Sequence, residues 1–318
     1  MQSKYKNYEV ILVDNASKDQ SYRKCKEEFP QINLIENKEN LGYCEGNNIG
    51  LKQAKGDYII ILNPDTEVKI DWIDEFLKEY KNHGDGLYQP KLLATSDKTR
   101  INSGGNMMNI FGFGYSSGKG EKDSEKFNKF KIINYASGAC LFTSKKIFDK
   151  LGYFDPFLFA YHDDLELGWR AAQIGIKSFY VPNVIVFHAE SFSFKWSAKK
   201  FYLLERNRWY CLLTHYSKST FLKILPSLVI VEIFIIIYFL SKGMIKEKIR
   251  ATNHIIKNRK LINKKYLEIE NKKKITDKSI IEKLSNTIDI PIEVSDSTTS
   301  ILFNKIINFL GKITKKII

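Results

Sequence analysis

The chain has 318 residues, 43% of them hydrophobic and 13% aromatic, a content that suits a packed core and excludes a disordered polyelectrolyte. Its formal net charge of +14 admits nucleic acid, an anionic membrane or a phosphorylated substrate as partner. The four cysteines (Cys25, Cys44, Cys140 and Cys211) are too far apart in sequence for a CxxC pair or a metal knuckle, so they read as reduced thiols.

In chain order, YEVILV (8–13) reads as a strand and QSYRKCKEEF as a helix, with Ser17 or Asp19 as a candidate cap. INLIE is a second strand, and EGNNIGLKQA a helix ended by Lys55, Gly56 and Asp57. YIIIL (58–62) is a third strand and DWIDEFLKEYKN a third helix. Strands alternating with helices predict an α/β fold with a mostly parallel sheet flanked by helices. The unbroken isoleucine run fits a strand buried on both faces.

From about 86 to 195 the pattern changes. NMMNIFGFGYSSGKGEKD, rich in Gly, Ser and aromatics, reads as a mobile loop. YASGACLFTS is strand-like, DDLELGWRAAQIG helical, and SFYVP and VIVFH read as two short strands around a Pro-Asn turn.

After Ser197 comes an aromatic, basic helix and then ILPSLVIVEIFIIIYFL (224–240). A membrane span needs ~20 apolar residues, and this run is at the short end, with Pro226, Ser227 and Glu232 inside it. It could be a short span, an in-plane segment or a very apolar core helix; its length and basic flanks favour membrane contact. TSILFNKIINFLGKITKKII places Leu302, Ile306, Phe309, Leu310, Ile313 and Ile317 on one helical face. That helix suits a lipid interface or ordinary docking on its own domain. The basic excess is concentrated here, which fits a membrane surface better than a nucleic-acid groove. The expected division is a globular domain over 1–215 and a helical, membrane-associated region over 216–318.

Three clusters could carry chemistry. Asp14 and Asp65 each follow a predicted parallel strand, where open sheets bind ligands. NKENLGYCEGNNIGL (37–51) gathers Asn and Gly around a helix start, where backbone amides suit phosphate. YHDDLELGWR (161–170) brings Asp163, Asp164 and Glu166 within four residues. Like-charge crowding there raises at least one pKa, as a general base requires. The competing reading has these carboxylates meeting the helix dipole and Glu166 pairing Arg170 at i,i+4. His188 ends VIVFH and could join carboxylates around Mg²⁺ or Mn²⁺.

Taken together, EVILVDNASKD, NKENLGYCEGNNIGL, GDYIIILNPDTEV, YASGACLFTSKKIFDKLGYFDPFLFAYHDDLELGWR and GIKSFYVPNVIVFH resemble the family 2 glycosyltransferases, in particular the rhamnosyltransferase-like branch. The motifs run in the family's order over about residues 2 to 190. The resemblance implies a GT-A fold and transfer of a sugar, with inversion, from a nucleoside-diphosphate donor to a glycan or lipid-linked acceptor. It implies that Asp14 holds the nucleobase and that Ser17, Asn40, Gly42, Asn48 and Asn63 help to bind the donor. By the same resemblance Asp65 is the metal-binding member of a DxD-type motif written Asn63-Pro64-Asp65, joined by His188. Asp164 matches the base that deprotonates the acceptor, with Asp163 beside it.

Where the family has Glu-Asp, a spacer and Asp, this chain has Asp163-Asp164-Leu165-Glu166. Family members also begin with a further strand and helix, and QSKYKNYE (2–9) looks like the end of that helix. The expectation is that two strand edges face a gap. The implied setting is the cytoplasmic face of a membrane, with no nucleic-acid partner. A sugar-nucleotide-binding module without turnover is the alternative on the same fold.

Overall fold

The computed structural model describes residues 3–189, 197–290 and 297–318. The order of elements is β1 (Ile11–Asp14), α1 (Ser21–Glu28), β2 (Asn33–Glu36), α2 (Gly42–Gln53), β3 (Tyr58–Leu62), β4 (Thr66–Val68), α3 (Trp72–His83) and β5 (Gly86–Ala94). Then follow β6 (Ile101–Ser103), β7 (Asn106–Met108), β8 (Gly114–Ser116), β9 (Lys131–Ile133), β10 (Cys140–Ser144), α4 (Lys145–Leu151), α5 (Asp163–Gln173) and β11 (Lys177–His188). The chain ends in helices α6 (Ala198–His215), α7 (Lys218–Ser241), α8 (Ile245–Lys257), α9 (Arg259–Lys272), α10 (Asp277–Ile281) and α11 (Ser297–Ile317).

The main sheet has the order β3-β10-β5-β11-β4, with β6 on β5 and β9 on β11. Strands β3, β5 and β11 run the same way, and β10 lies antiparallel between β3 and β5. Consecutive residues serve opposite faces. Ile59, Ile61, Leu87 and Leu141 join a core with α2, α4 and α5, whereas Tyr88, Phe142, Phe179 and Val181 join one with Trp72 and Phe76 of α3. Burial on both faces is why these strands lack polar alternation.

Strands β1 and β2 form a separate parallel pair. Among the described residues, β1 pairs only with β2 and β3 only with β10. Between them lies a cavity of about 1680 Å³ lined by consecutive residues of both strands, so it meets their edges rather than one side-chain face. Residues 3–9 are not helical, contrary to the sequence expectation. Lys4 N donates to Ile70 O at 2.9 Å and Glu9 Oε1 accepts from Lys55 N, so this segment bonds to neighbouring loops.

Two other expectations change. Part of the Gly/Ser-rich stretch is an antiparallel hairpin, β7–β8, because Ile110 and Phe111 at its turn are fully buried. The two short strands around Pro182-Asn183 are one strand, β11, whose register against β5 shifts between Val181 and Ile185. Opposite that shift lies Pro90, which has no amide hydrogen to give to the ladder.

Helix α5 connects the sheet to the C-terminal helices. Glu166 and Arg170 form a buried two-pronged ion pair, with Nε–Oε1 at 2.9 Å and Nη2–Oε2 at 2.6 Å. Arg170 also donates to the carbonyls of Leu151 and Tyr153, and His215 Nε2 lies 3.5 Å from Glu166 Oε1. Burial alone would raise the Glu166 carboxyl, but Arg170 and His215 reverse this and leave it well below the usual range. Arg170→Met strands the buried carboxylate and is expected to cost about 3–5 kcal/mol in urea unfolding. The double variant Glu166→Leu/Arg170→Met should recover much of that loss.

Candidate active site

The cavity between β1 and β3 extends to the start of α5. Asp14 ends β1 and is buried; its carboxylate accepts from Ser17 N at 3.1 and 3.3 Å. Asn15 donates to Gly42 O at 2.8 Å, and Asn40 Oδ1 accepts from Gly42 N at 2.9 Å. Gly42 has φ +81, and a Cβ there would lie 2.5 Å from Phe159 O. Only glycine therefore lets the turn into α2 pass this close to the segment that leads into α5.

Asp65 follows β3. It meets His188 because β4 returns antiparallel along β11, pairing Thr66 with His188, and Ala189 N donates to Asp65 O at 2.9 Å. His188 Nε2 stands 3.4 Å from Asp65 Oδ1, which is buried without a hydrogen-bond partner. Asn102 Oδ1 lies 3.1 Å from His188 Nδ1 and can accept its proton. In neutral His188 this leaves Nε2 and Asp65 Oδ1 as two acceptors facing each other, a relation that a proton or a cation satisfies. When Nε2 of His188 carries a proton, it donates to Asp65 and, partly opposed by burial, holds that carboxyl below its ordinary range.

Asp163 and Asp164 open α5 after a strained turn: Phe159, Tyr161 and His162 all have left-handed φ, at +63, +66 and +58. Asn207 of α6 ties this turn down by donating to the carbonyls of Leu158, Ala160 and Tyr161 at 3.0, 2.9 and 2.7 Å. Arg206 adds bonds to Phe157 and Leu158. Asp164 accepts from Gly138 N at 3.1 Å and Leu165 N at 2.8 Å. Burial nevertheless pushes its carboxyl up to about 6. Burial and the Asp164 charge push Asp163 well above the ordinary range, favouring its neutral form.

Residues 138 and 139 join the two acidic ends of the site. Gly138 N bonds Asp164, Gly138 O accepts from Tyr43 Oη at 2.7 Å, and Ala139 O accepts from Asn63 N at 3.0 Å. The Asp65 turn, α2 and the start of α5 thus hang on one dipeptide.

Residues 1–152 match the family model described as glycosyl transferase family 2. That part of the chain, just under half of its 318 residues, is thus similar to the family 2 glycosyltransferases. Among its relatives, a hexosyltransferase of low-salt glycan biosynthesis, Agl10 of Haloferax volcanii, is 25% identical over 228 residues, covering 66% of this chain and 69% of the relative. An N-acetylglucosaminyl-diphospho-decaprenol L-rhamnosyltransferase of Mycobacterium tuberculosis is 24% identical over 206 residues, covering 58% of this chain and 67% of the relative. The solved structure of GalNAc-T7 with UDP, GalNAc and Mn²⁺ matches with TM-score 0.53 at 17% identity, covering 69% of this chain and 44% of that one. That likeness shows the shared GT-A fold, and the chain spans less than half of that protein's length.

The cavity gathers Asp14, Ser17, Asn40, Gly42, Asn63, Asp65, Asp163, Asp164 and His188, all expected from the sequence. Asn48 is the exception. It is buried off the cavity wall, and both ends of its amide are spent on Phe154, at 3.0 Å each. It ties α2 to the turn after α4 and does not line the cavity. Sequence reasoning missed Asn102, Gly138, Arg206 and Asn207, whose partners lie far along the chain and leave no local spacing to read. At Gly138 a Cβ would sit 2.6 Å from the Tyr43 hydroxyl. Gly138→Val should therefore lower sugar-transfer turnover by roughly 100-fold through misplacement of Asp164, with the far-UV circular dichroism unchanged.

Proposed function

We propose that the protein transfers a sugar from a nucleoside-diphosphate donor to a hydroxyl of a glycan or lipid-linked acceptor, with inversion. The observation that carries this is one cavity with a half-buried Asp65–His188 pair at one place and Asp164, raised to about 6, at another. In this reading Asp14 and Ser17 receive the base, and the Asn40–Gly42 turn and Asn63 flank the donor. Asp164 takes the acceptor proton as the hydroxyl attacks the sugar carbon. A carboxylate poised near neutrality is a stronger base than one at the ordinary value, and it is still ionised at neutral pH. Asp163, favoured as the neutral acid, adds no second negative charge beside it.

The orphaned Asp65 Oδ1 and the facing His188 Nε2 fit a divalent cation, Mg²⁺ or Mn²⁺, which these two residues would hold. Among the described residues no cluster of three or more His, Cys, Asp or Glu side chains gathers, so oxygens of the donor diphosphate would complete the shell. When bound, such an ion neutralises charge on the diphosphate leaving group. The GalNAc-T7 structure contains UDP and Mn²⁺, which supports this assignment. The lipid-linked acceptor is supported by the M. tuberculosis relative, whose name gives a diphospho-decaprenol substrate. Such an acceptor fits work at the cytoplasmic face of a membrane.

A second reading, a sugar-nucleotide-binding module without turnover, is supported by the unpaired β1 and β3 edges at the cavity. Donor binding without product, under any nucleotide sugar and metal, would select it.

Asp164→Asn is expected to lower kcat by roughly 10²–10⁴-fold while leaving donor affinity within a few-fold, in a coupled assay of nucleotide release. For the unmodified protein, kcat/KM should fall as the pH drops through about 6, because Asp164 must be ionised to accept a proton. Asp65→Ala should abolish the Mn²⁺ dependence of nucleotide binding measured by calorimetry.

A further inference from the structure

Helix α7 is the one helix among the described residues long and apolar enough to cross a membrane, and only 33% of its apolar stretch is buried. Its two sides differ. Ile224, Leu228, Val231, Ile235 and Phe239 lie in the core shared with the sheet and α5. On the other side, Leu222, Val229, Ile233, Ile236, Ile237 and Leu240 are between 39% and 66% exposed. Their spacing follows the helical repeat, so they form one continuous bare stripe. A stripe of that length left in water is costly.

Three contacts hold α7 along its flank. Glu232 binds both Arg208 of α6 and Lys248 of α8, two cations that also bind the buried Glu205. Ser227 accepts from Thr314 of α11 at 2.8 Å. A helix surrounded by lipid on all sides would have to leave these partners and strand Arg208, Lys248 and Glu205 without Glu232. The structure therefore keeps one side of α7 on protein.

The neighbouring helix supplies charge of one sign. On α11 the exposed Leu302, Phe309 and Ile313 alternate with exposed Lys305, Lys312 and Lys316. Apolar side chains interleaved with lysines suit the boundary between headgroups and acyl chains, and the lysines select anionic lipid.

We propose that the protein docks on one leaflet of an anionic bilayer with α7 lying in the membrane plane, its bare stripe immersed and its other side on protein, rather than crossing the bilayer. This deepens the membrane setting of the proposed function but is tested without substrate, so failure of lipid docking leaves a transfer assay on a soluble acceptor intact.

The test uses the full chain and sedimentation with sucrose-loaded vesicles of phosphatidylcholine, with or without phosphatidylglycerol. Binding is expected to the anionic vesicles and to weaken as salt rises. Ile233→Asp/Ile237→Asp should weaken it by roughly tenfold or more per side chain, with the unfolding midpoint unchanged because both positions are solvent-exposed. Undiminished binding of that variant, or no binding to either vesicle, overturns the proposal. A dimer in light scattering that the variant dissolves also overturns it, since a second copy then covers the stripe. Orientation is read in a Cys25→Ser background carrying Lys218→Cys or Lys242→Cys, one at each end of α7. An impermeant thiol reagent added outside preformed vesicles should label both ends equally. Protection of one end means a span and overturns the in-plane assignment.

Discussion

Glu166 and Arg170 meet one helical turn apart inside the protein, both shielded from solvent, and much of the rest is arranged around them. Neither charge can be buried alone, so the pair fixes which side of α5 faces inward. The spare donors of Arg170 take the carbonyls of Leu151 and Tyr153, which sets the turn after α4. His215 reaches Glu166 from α6, and Gln173 at the end of α5 donates to His215 O at 2.7 Å. With its interior side so committed, α5 holds its first turn, Asp163 and Asp164, at the cavity.

The chemistry of that first turn follows from opposed terms. Two backbone amides stabilise the Asp164 anion, while burial penalises it, and burial prevails. At Asp65 the balance is reversed, because His188 stands beside it and burial is partial. Two aspartates of the same type thus acquire different acidities from their surroundings. The distance between them is held by backbone bonds through Gly138 and Ala139, which do not stretch as long side chains do.

The C-terminal half changes what the net charge means. Some of the cations are internal and neutralised, Arg208 and Lys248 against Glu205 and Glu232, and Lys273 against Asp277, so the net excess lies elsewhere. Those cations organise helices and offer nothing to a partner. What remains outside, such as Lys305, Lys312 and Lys316 of α11, is the charge a surface can meet. Helix α11 also does two jobs at once. Ile307, Leu310 and Thr314 dock it on the body while Phe309 and Ile313 stay exposed, so the face expected from the sequence is divided between the two.

The sequence by itself determined the alternation of strands and helices, the resemblance to a family, and the acidic and Asn/Gly residues at the cavity. These are local properties: an apolar run ends in an aspartate, and a glycine marks a turn. It also supported pairing of Glu166 with Arg170, because four residues make one turn of helix. Asn48 looked like its neighbours in a polar cluster, and only the packing of α2 on Phe154 turned it inward. The hairpin at β7–β8 was hidden because small polar residues outnumber the two, Ile110 and Phe111, that anchor it. The meeting of His188 with Asp65 and Asn102, the hold of Asn207 on the turn before α5, and the pinning of Glu232 were decided by tertiary structure. Each joins residues distant along the chain, and such proximity is set by strand register and helix packing, which no local pattern records.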